Sequence, residues 1–284
     1  MTMTPEAPCQ VGPIAVLCAL DCELAQVQRL LPCGREEWHA ERRVWVSALD
    51  GHTVVLALCG MGMMSAAAVA EAIIGHYRPS VVLNCGCTGA HRSDLLSGDL
   101  VVGARVVAYD SVRESADGIT RYARMRYLHR DAQQKVEYLP AAPHLLESAL
   151  RAAASLEGRH EPWPRALGWP ESVPHRPPRV AVGTVASADR WNRSRVTIEA
   201  LTAQHGSLCE DMEAAAIALT CASHDVPFLA VKDIANNELI QPTSSSADIA
   251  DEAWLSQLGR RAAAFALEIM HDLIVRDLLA RGGS

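Results

Sequence analysis

No stretch of the chain approaches the roughly 18 consecutive apolar residues that a membrane-spanning helix requires. Residues 1–12 lack the charged start and apolar core of an export signal. Together these absences predict a cytoplasmic protein. A basic excess is missing too: 26 Lys and Arg stand against 33 Asp and Glu, a formal charge of −7, and such a surface does not gather phosphate backbones. Nucleic acid and membrane are therefore excluded as expected partners. The nine cysteines are an odd number, and Cys18, Cys22, Cys59, Cys85, Cys87 and Cys221 lie in or beside apolar runs. That is the pattern of reduced thiols, not of a disulfide framework. Cys85-Gly86-Cys87 and the Cys18/Cys22 pair are half metal sites at most, because no further paired Cys or His cluster completes four ligands. Neither a metal nor an organic cofactor is expected, and the chain has no internal repeat.

What is present suits a buried sheet. The 284 residues are 49% apolar and 21% charged, enough for one continuous domain spanning 1–284. Residues 14–20 (IAVLCAL) are a continuous apolar run with β-branched members, the mark of a strand covered on both faces. A helical period follows through Leu24, Val27, Leu30 and Leu31, so Asp21 and Glu23 fall where a strand hands over to a helix N-terminus. In α/β sheets that edge usually carries the function. Residues 44–48 and 54–58 read as strands joined at Asp50-Gly51, a hairpin dipeptide. Further strands are predicted at 81–83, 100–107, 180–185 and 227–231. Helices are predicted at 66–74 and 144–156, from the Glu210-Asp211-Met212-Glu213 run to about 223, and as one long amphipathic element at 251–279. Residues 111–138, with Arg121, Arg124, Arg126 and Arg130, read as a solvated surface. A segment at about 158–178, with six prolines, two tryptophans and no periodicity, reads as an inserted loop flanking a site or an interface. A flexible stretch is expected at 244–246. The fold class is α/β: a three-layer α/β/α domain around a twisted mixed central sheet.

Four apolar strands finish in polar or glycine-bearing clusters, after Leu20, Leu83, Val185 and Val231. In a wound sheet such ends meet at one edge, so the clusters are expected to share a cleft. The glycines of 59–62 (CGMG) and 84–89 (NCGCTG) allow close backbone approach to a ligand, although a lone Gly-x-Gly is more often just a tight turn.

In order and content these clusters resemble the nucleoside phosphorylase/nucleosidase superfamily, and within it the methylthioadenosine/S-adenosylhomocysteine nucleosidases. The likeness rests on IAVLCALDCEL, ALCGMGMMSAAA, VVLNCGCTGAHRSDLLSGDLVV, SADRW, EDMEAAAIA and VPFLAVKDIAN, and covers about 13–110 and 180–279. The resemblance implies a purine nucleoside as ligand, cleavage of its N-glycosidic bond by water, and a homodimer or larger homo-oligomer. It puts Glu23 on the carboxylate that activates water, Glu213 on the residue that holds the ribose hydroxyls, and Met212 beneath the sugar. Trp191 falls on the aromatic that stacks on the base, and Asn192 on a residue presenting backbone to the purine edge. Thr88, Gly89 and Asp211 join this substrate-binding set. From the residues alone, Glu23, Asp211 and Glu213 read equally well as acids favoured at helix N-termini. The chemistry suits them, because breaking a C1′–N9 bond builds positive charge on the ribose and negative charge on the base.

Three places depart from the family's pattern. Asn236 stands where the family has its general acid, and an amide has no transferable proton. Either leaving-group activation is weaker, or the base is a 6-oxopurine, as in inosine or a futalosine-like nucleoside, with Asp233 and Asp189 as spare carboxylates. Cys87 replaces a water-contacting Ser, and Lys232 replaces an Arg, which alters the water or anion pocket. The glycine and arginine cluster that holds phosphate in phosphorylases is replaced by Asp21-Cys22-Glu23, where a carboxylate repels phosphate. A phosphate-dependent phosphorylase and a catalytically silent nucleoside-binding protein on the same fold are the alternatives. Finally, an arginine within 121–130 either pairs with an acidic 5′ substituent or belongs to an ordinary surface loop.

Overall fold

The computed structural model describes residues 12–118, 120–154, 160–240 and 252–282; the stretch at 244–246 and the first residues of the Pro-rich segment lie outside them. The first half runs β1 (Ile14–Cys18), α1 (Asp21–Leu30), β2 (Arg35–His39), β3 (Arg42–Leu49), β4 (His52–Leu58), α2 (Met63–Tyr77), β5 (Val81–Ala90) and β6 (Leu100–Ala108). Two small hairpins follow, β7 (Val112–Glu114) with β8 (Thr120–Tyr122) and β9 (Met125–His129) with β10 (Ala132–Val136), then β11 (Leu139–Pro140) and α3 (Pro143–Ala154). The chain closes with β12 (Val180–Ser187), α4 (Arg195–His205), β13 (Ser207–Asp211), α5 (Ala214–Ser223), β14 (Phe228–Asn236), α6 (Glu252–Leu255) and α7 (Arg260–Gly282).

Both faces of the sheet are covered, as the unbroken apolar run of β1 requires. Ala15 and Leu17 turn to one face, where α2 and α5 supply Val69, Ile73, Ala214 and Ile217. Ile14, Val16 and Cys18 turn to the other, against Leu24 and Val27 of α1, Leu145 of α3, and Phe265 and Ile269 of α7. Each of the Val, Leu, Ile and Phe side chains among them contributes about 1.5–3 kcal/mol by leaving water. The alternation gives the three layers their physical origin.

The sheet order is β11-β6-β12-β13-β5-β1-β4-β3-β2, with β14 lying between β5 and β6. Parallel and antiparallel pairs are mixed, and half of the sheet does more than twist. β5 pairs with β14, β14 with β6, β6 with β12, β12 with β13, and β13 returns to β5 through Cys209–Ala90 and Glu210–Gly89. Five strands thus close into a small barrel, while β1 to β4 extend from it as an open wing.

Several elements differ from the sequence expectation for identifiable reasons. β5 and β14 do not stop at Leu83 and Val231; they run on through the glycine-bearing clusters, because Cys85 to Gly89 pair residue for residue with Val231 to Asn236, one bulge apart. The expected long C-terminal helix is broken at Gly259, which adopts φ 67°. The buried carboxylate of Asp233 imposes this break: Oδ1 accepts from Gly259 N at 3.0 Å, and Oδ2 from Arg261 N at 3.0 Å and Ala262 N at 3.3 Å. Those N–H groups cannot also serve a preceding helical turn, so α7 starts here. The segment 111–138 is largely exposed, as expected, but is built of hairpins and buries Met125. The turn at Asp50-Gly51 is as read, with φ 49° and 81° in the left-handed region that a tight hairpin demands.

Among its described residues the Pro-rich segment has only a single 3-10 turn, Arg165–Leu167, as regular structure, yet it is firmly held. Trp163 is fully buried and Trp169 nearly so, packed with Leu96, Ala235 and Leu258. Arg176 grips Asp99 with two bonds, at 2.6 and 2.7 Å. This segment therefore forms the wall behind the ends of β14 and α6.

Candidate active site

A single cleft collects the ends of β1, β5, β12, β13 and β14. It is lined by Glu23 and Leu20 after β1, by Cys87, Thr88, Gly89 and His91 at the end of β5, and by Arg190, Trp191 and Asn192 after β12. Glu210 to Glu213 line it where β13 passes into α5, Asn236 and Glu238 at the end of β14, and Trp254 and Leu258 ahead of α7. Of the eleven residues singled out above, all but Lys232 line this cleft.

Glu23 is buried in the first turn of α1 and pinned by backbone. Its Oε2 accepts from Ala19 N and Leu20 N, both at 3.0 Å, and its Oε1 from Cys87 N at 2.7 Å. The carboxylate can come this close to β5 only because position 86 is glycine, since a Cβ there would stand 2.5 Å from Glu23 Oε1. One carboxylate has about four lone-pair sites, and backbone N–H groups take three of those of Glu23.

Glu213 sits just before α5, also buried, with Oε1 accepting from Gly62 N at 3.0 Å. Burial, reinforced by the neighbouring Asp211 carboxylate, pushes its pKa up to about 7, against the opposing pull of Lys232. Asp211 is spent on structure: Oδ1 accepts from Ser187 Oγ at 2.6 Å, Oδ2 from Lys232 Nζ at 2.8 Å, and both oxygens take the Ala214 N–H that opens α5. Lys232 is almost fully buried beneath the cleft floor. Burial pulls its pKa down, but Asp211, Glu213 and Glu23 outweigh that and raise it. Its positive charge therefore serves the three carboxylates from below and does not touch a ligand in the cleft.

The remaining expected residues sit as follows. The Cys87 thiol is pushed well up by burial, ahead of the effect of Glu23, so it faces the cleft as a neutral group. Trp191 is 46% exposed at the mouth, with the Arg193 guanidinium 4.9 Å from its ring centroid, which leaves one ring face for a ligand. Asn192 N donates to Glu210 Oε1 at 2.9 Å, so this N–H is already engaged and does not point at a base. Asn236 Nδ2 donates to Glu238 Oε1 at 3.1 Å. Asp233 caps α7 and Asp189 Oδ1 accepts from Met63 N at 2.6 Å at the start of α2; neither is a spare acid at the base end. Arg124, Arg126 and Arg130 do not line the cleft, and Arg130 is paired with Asp225 at 2.9 Å.

Residues that sequence reasoning passed over are also here. Glu210, His91, Arg190 and Glu238 all line the cleft. Glu210 stands in the EDME run and His91 directly follows NCGCTGA, but only the pairing of β13 with β5 reveals that they meet. The described cysteines are free thiols, and among the described residues no cluster of three His, Cys, Asp or Glu is placed to hold a metal. No helix among these residues is long and apolar enough to cross a membrane.

Comparison with known proteins bears on the family and the fold. A sequence profile of the phosphorylase superfamily matches residues 13–271. The 5′-methylthioadenosine/S-adenosylhomocysteine nucleosidase of Geobacillus kaustophilus is 31% identical over 198 residues, 67% of this chain and 71% of the relative. Among solved structures, the 5′-methylthioadenosine/S-adenosylhomocysteine nucleosidase of Neisseria meningitidis in complex with methylthio-immucillin-A superposes with a TM-score of 0.72 at 24% identity, covering 92% of this chain and 99% of that one. The futalosine hydrolase of Helicobacter pylori gives 0.73 at 18%, covering 92% and 98%. These two likenesses speak to the fold. With its barrel, its open wing and its shared cleft, this chain belongs to the phosphorylase superfamily.

Proposed function

We propose that this protein is a purine nucleoside N-ribohydrolase, an enzyme that cleaves the N-glycosidic bond of a purine nucleoside with water. One observation carries the reading: Glu23 and Glu213, distant in sequence, bring buried carboxylates into the same cleft as an amide, Asn236. Related nucleosidases and a futalosine hydrolase of the same fold support it.

In this reading Glu23 takes a proton from water as the oxygen attacks C1′, a general-base contribution of about 10²–10⁴ in rate. Its three backbone donors hold the carboxylate in place beside the cleft. Glu213 accepts from the ribose hydroxyls, and Met212 packs beneath the sugar. The carboxylates of the site face the positive charge that grows on the ribose ring. The leaving purine carries away the bond's electron pair, held against Trp191, with Asn236 donating to its edge and solvent supplying the proton on release. Cys87, Thr88 and Gly89 shape the floor, and Asp211 with Lys232 fixes the turn that presents Met212 and Glu213. No phosphate-binding role falls to the Asp21-Cys22-Glu23 turn, where a carboxylate repels an anion. The enzyme needs no metal or organic cofactor in this scheme. It works in the cytoplasm as a homodimer or larger homo-oligomer, with residues 1–284 as one domain.

The test is release of free base from adenosine, inosine, methylthioadenosine, S-adenosylhomocysteine and futalosine, with and without phosphate. Release that is independent of phosphate is expected. Release only with phosphate indicates a phosphorylase, and tight nucleoside binding without release indicates a silent binding protein; either overturns the reading.

A further inference from the structure

A second cavity, of about 560 Å³, lies between the last turns of α1, the start of α7 and the first described residues of the Pro-rich segment. It shares no lining residue with the nucleoside cleft. Three arginines line it, Arg29, Arg260 and Arg261, against one carboxylate residue, Glu161.

Arg261 is only 3% exposed. Its Nε donates to Glu161 O and its Nη2 to Pro162 O, both at 2.9 Å, while longer bonds run from Nη1 and Nη2 to Gln257 Oε1. All these acceptors are uncharged. A buried guanidinium thus stands without a carboxylate in contact among the described residues, and one of its five N–H donors remains unengaged. Burial pulls its pKa down, and Asp233, the next influence, opposes this without reversing it. Arg29 gives one N–H to Gln26 Oε1 at 3.2 Å and has no ion pair among the described residues. Arg260 reaches Glu161 at 3.1 Å, but with side chains 49% and 78% exposed, and such a pair contributes little. The cavity is also assembled in advance: buried Gln26 donates to Ser256 O at 2.9 Å and ties α1 to the chain just ahead of α7.

We propose that this cavity binds a phosphate dianion, free or as the phosphate group of a small phosphomonoester. Three positive charges against the single negative charge of Glu161 leave two unbalanced, and a phosphate monoester carries about −1.5 to −2 at pH 7. Guanidinium forks match its oxygens in pairs. Side chains and not the helix end hold the anion, because the backbone N–H groups that open α7 are taken by Asp233. The volume suits a small organic molecule as well as a bare ion. Since the cavity is separate from the nucleoside cleft, the proposal goes beyond the nucleosidase reading and does not depend on it.

Calorimetry tests it by titrating inorganic phosphate and glycerol 3-phosphate into the wild type, Arg29→Gln and Arg260→Gln, against chloride at matched ionic strength. A dissociation constant below about 1 mM is expected in the wild type, and each variant should bind at least about tenfold more weakly for the loss of one charge-assisted contact. Tighter binding of glycerol 3-phosphate supports the site with a phosphomonoester as its occupant; equal binding supports it with free phosphate. Phenylglyoxal modification of the wild type, followed at each arginine by mass spectrometry, needs no variant. With ligand at several times its dissociation constant, modification of Arg29 and Arg260 should slow at least about fivefold, while exposed Arg113 reacts as before. No binding at about 10 mM, unchanged affinity in either variant, or unprotected Arg29 and Arg260 overturns the proposal. Protection of Arg190, which lines the nucleoside cleft, in place of these two overturns it as well, and counts against the hydrolase reading by putting phosphate beside the nucleoside.

Discussion

Glu210 and Asn236 approach the cleft from strands on opposite sides of Gly89, and each is that glycine's register partner. The floor between them is bare backbone. Gly89→Ala should therefore fold normally, because the added methyl meets its nearest neighbours at ordinary contact distance, but it would fill space on the cleft floor where the proposed function seats the base. We expect KM to rise at least about tenfold while the thermal midpoint moves little, as the added methyl blocks the ring and leaves the core untouched. Steady-state kinetics with a thermal melt checks both halves.

Glu23→Gln tests the water-activating group. The amide cannot take a proton from water, so kcat should fall by about 10²–10⁴ with KM nearly unchanged. Gly86→Ala is its steric counterpart: a Cβ 2.5 Å from Glu23 Oε1 has to push the carboxylate away, and kcat should fall in the same direction. Retention of full kcat in both variants would remove Glu23 from the mechanism.

Glu213 predicts a pH dependence. Its folded pKa of about 7 lies above the ordinary 4.5, and it must be ionised to accept from two hydroxyls. In the free enzyme, kcat/KM should fall as pH drops through about 7. The stability effect has the opposite sense. A carboxyl whose folded pKa is raised favours folding at low pH, and that favour is lost as pH rises from about 4.5 to 7. Glu213→Gln removes the cost of the buried charge, roughly 1–3 kcal/mol. The variant should be more stable than wild type at pH 8, with the difference vanishing toward pH 5. Denaturant titrations at the two pH values decide it.

Asp233→Asn separates a structural acid from a chemical one. The capping oxygens lose their charge, and one of them becomes an amide nitrogen facing backbone N–H groups. A loss of about 1–2 kcal/mol is expected, along with lower activity as Leu258 and Trp254 shift at the cleft wall. The pH at which kcat/KM turns should stay where it is in the wild type. A moved pH limb would instead make Asp233 a proton donor.

How much of this was readable beforehand depends on where the information lay. The Asp50-Gly51 hairpin and the helix after Glu213 are encoded within a few neighbouring residues, through turn chemistry and apolar periodicity, so both are legible in the sequence. β13 is not: SLCED is five residues long and ends in two acids, and its place depends on pairing with β5 and β12. Glu210 went unnoticed for the same reason. The break at Gly259 is likewise non-local, imposed by Asp233 from another strand. Lys232 shows the converse error. Its position in the motif put it in the water or anion pocket, but composition alone could not say that the ammonium is buried beside Asp211 and does not line the cleft.

The ring of five strands has an evolutionary corollary. Because the proposed base site at Gly89 is framed by hydrogen-bonded strands on both flanks, altering its width means re-registering a closed ladder, which disturbs neighbours all the way round. The mouth is built otherwise, from side chains such as Met61 that stand largely in solvent. Variation among descendants of this enzyme should therefore accumulate in what the outer end of the ligand may carry, while the ring system it accepts stays constant.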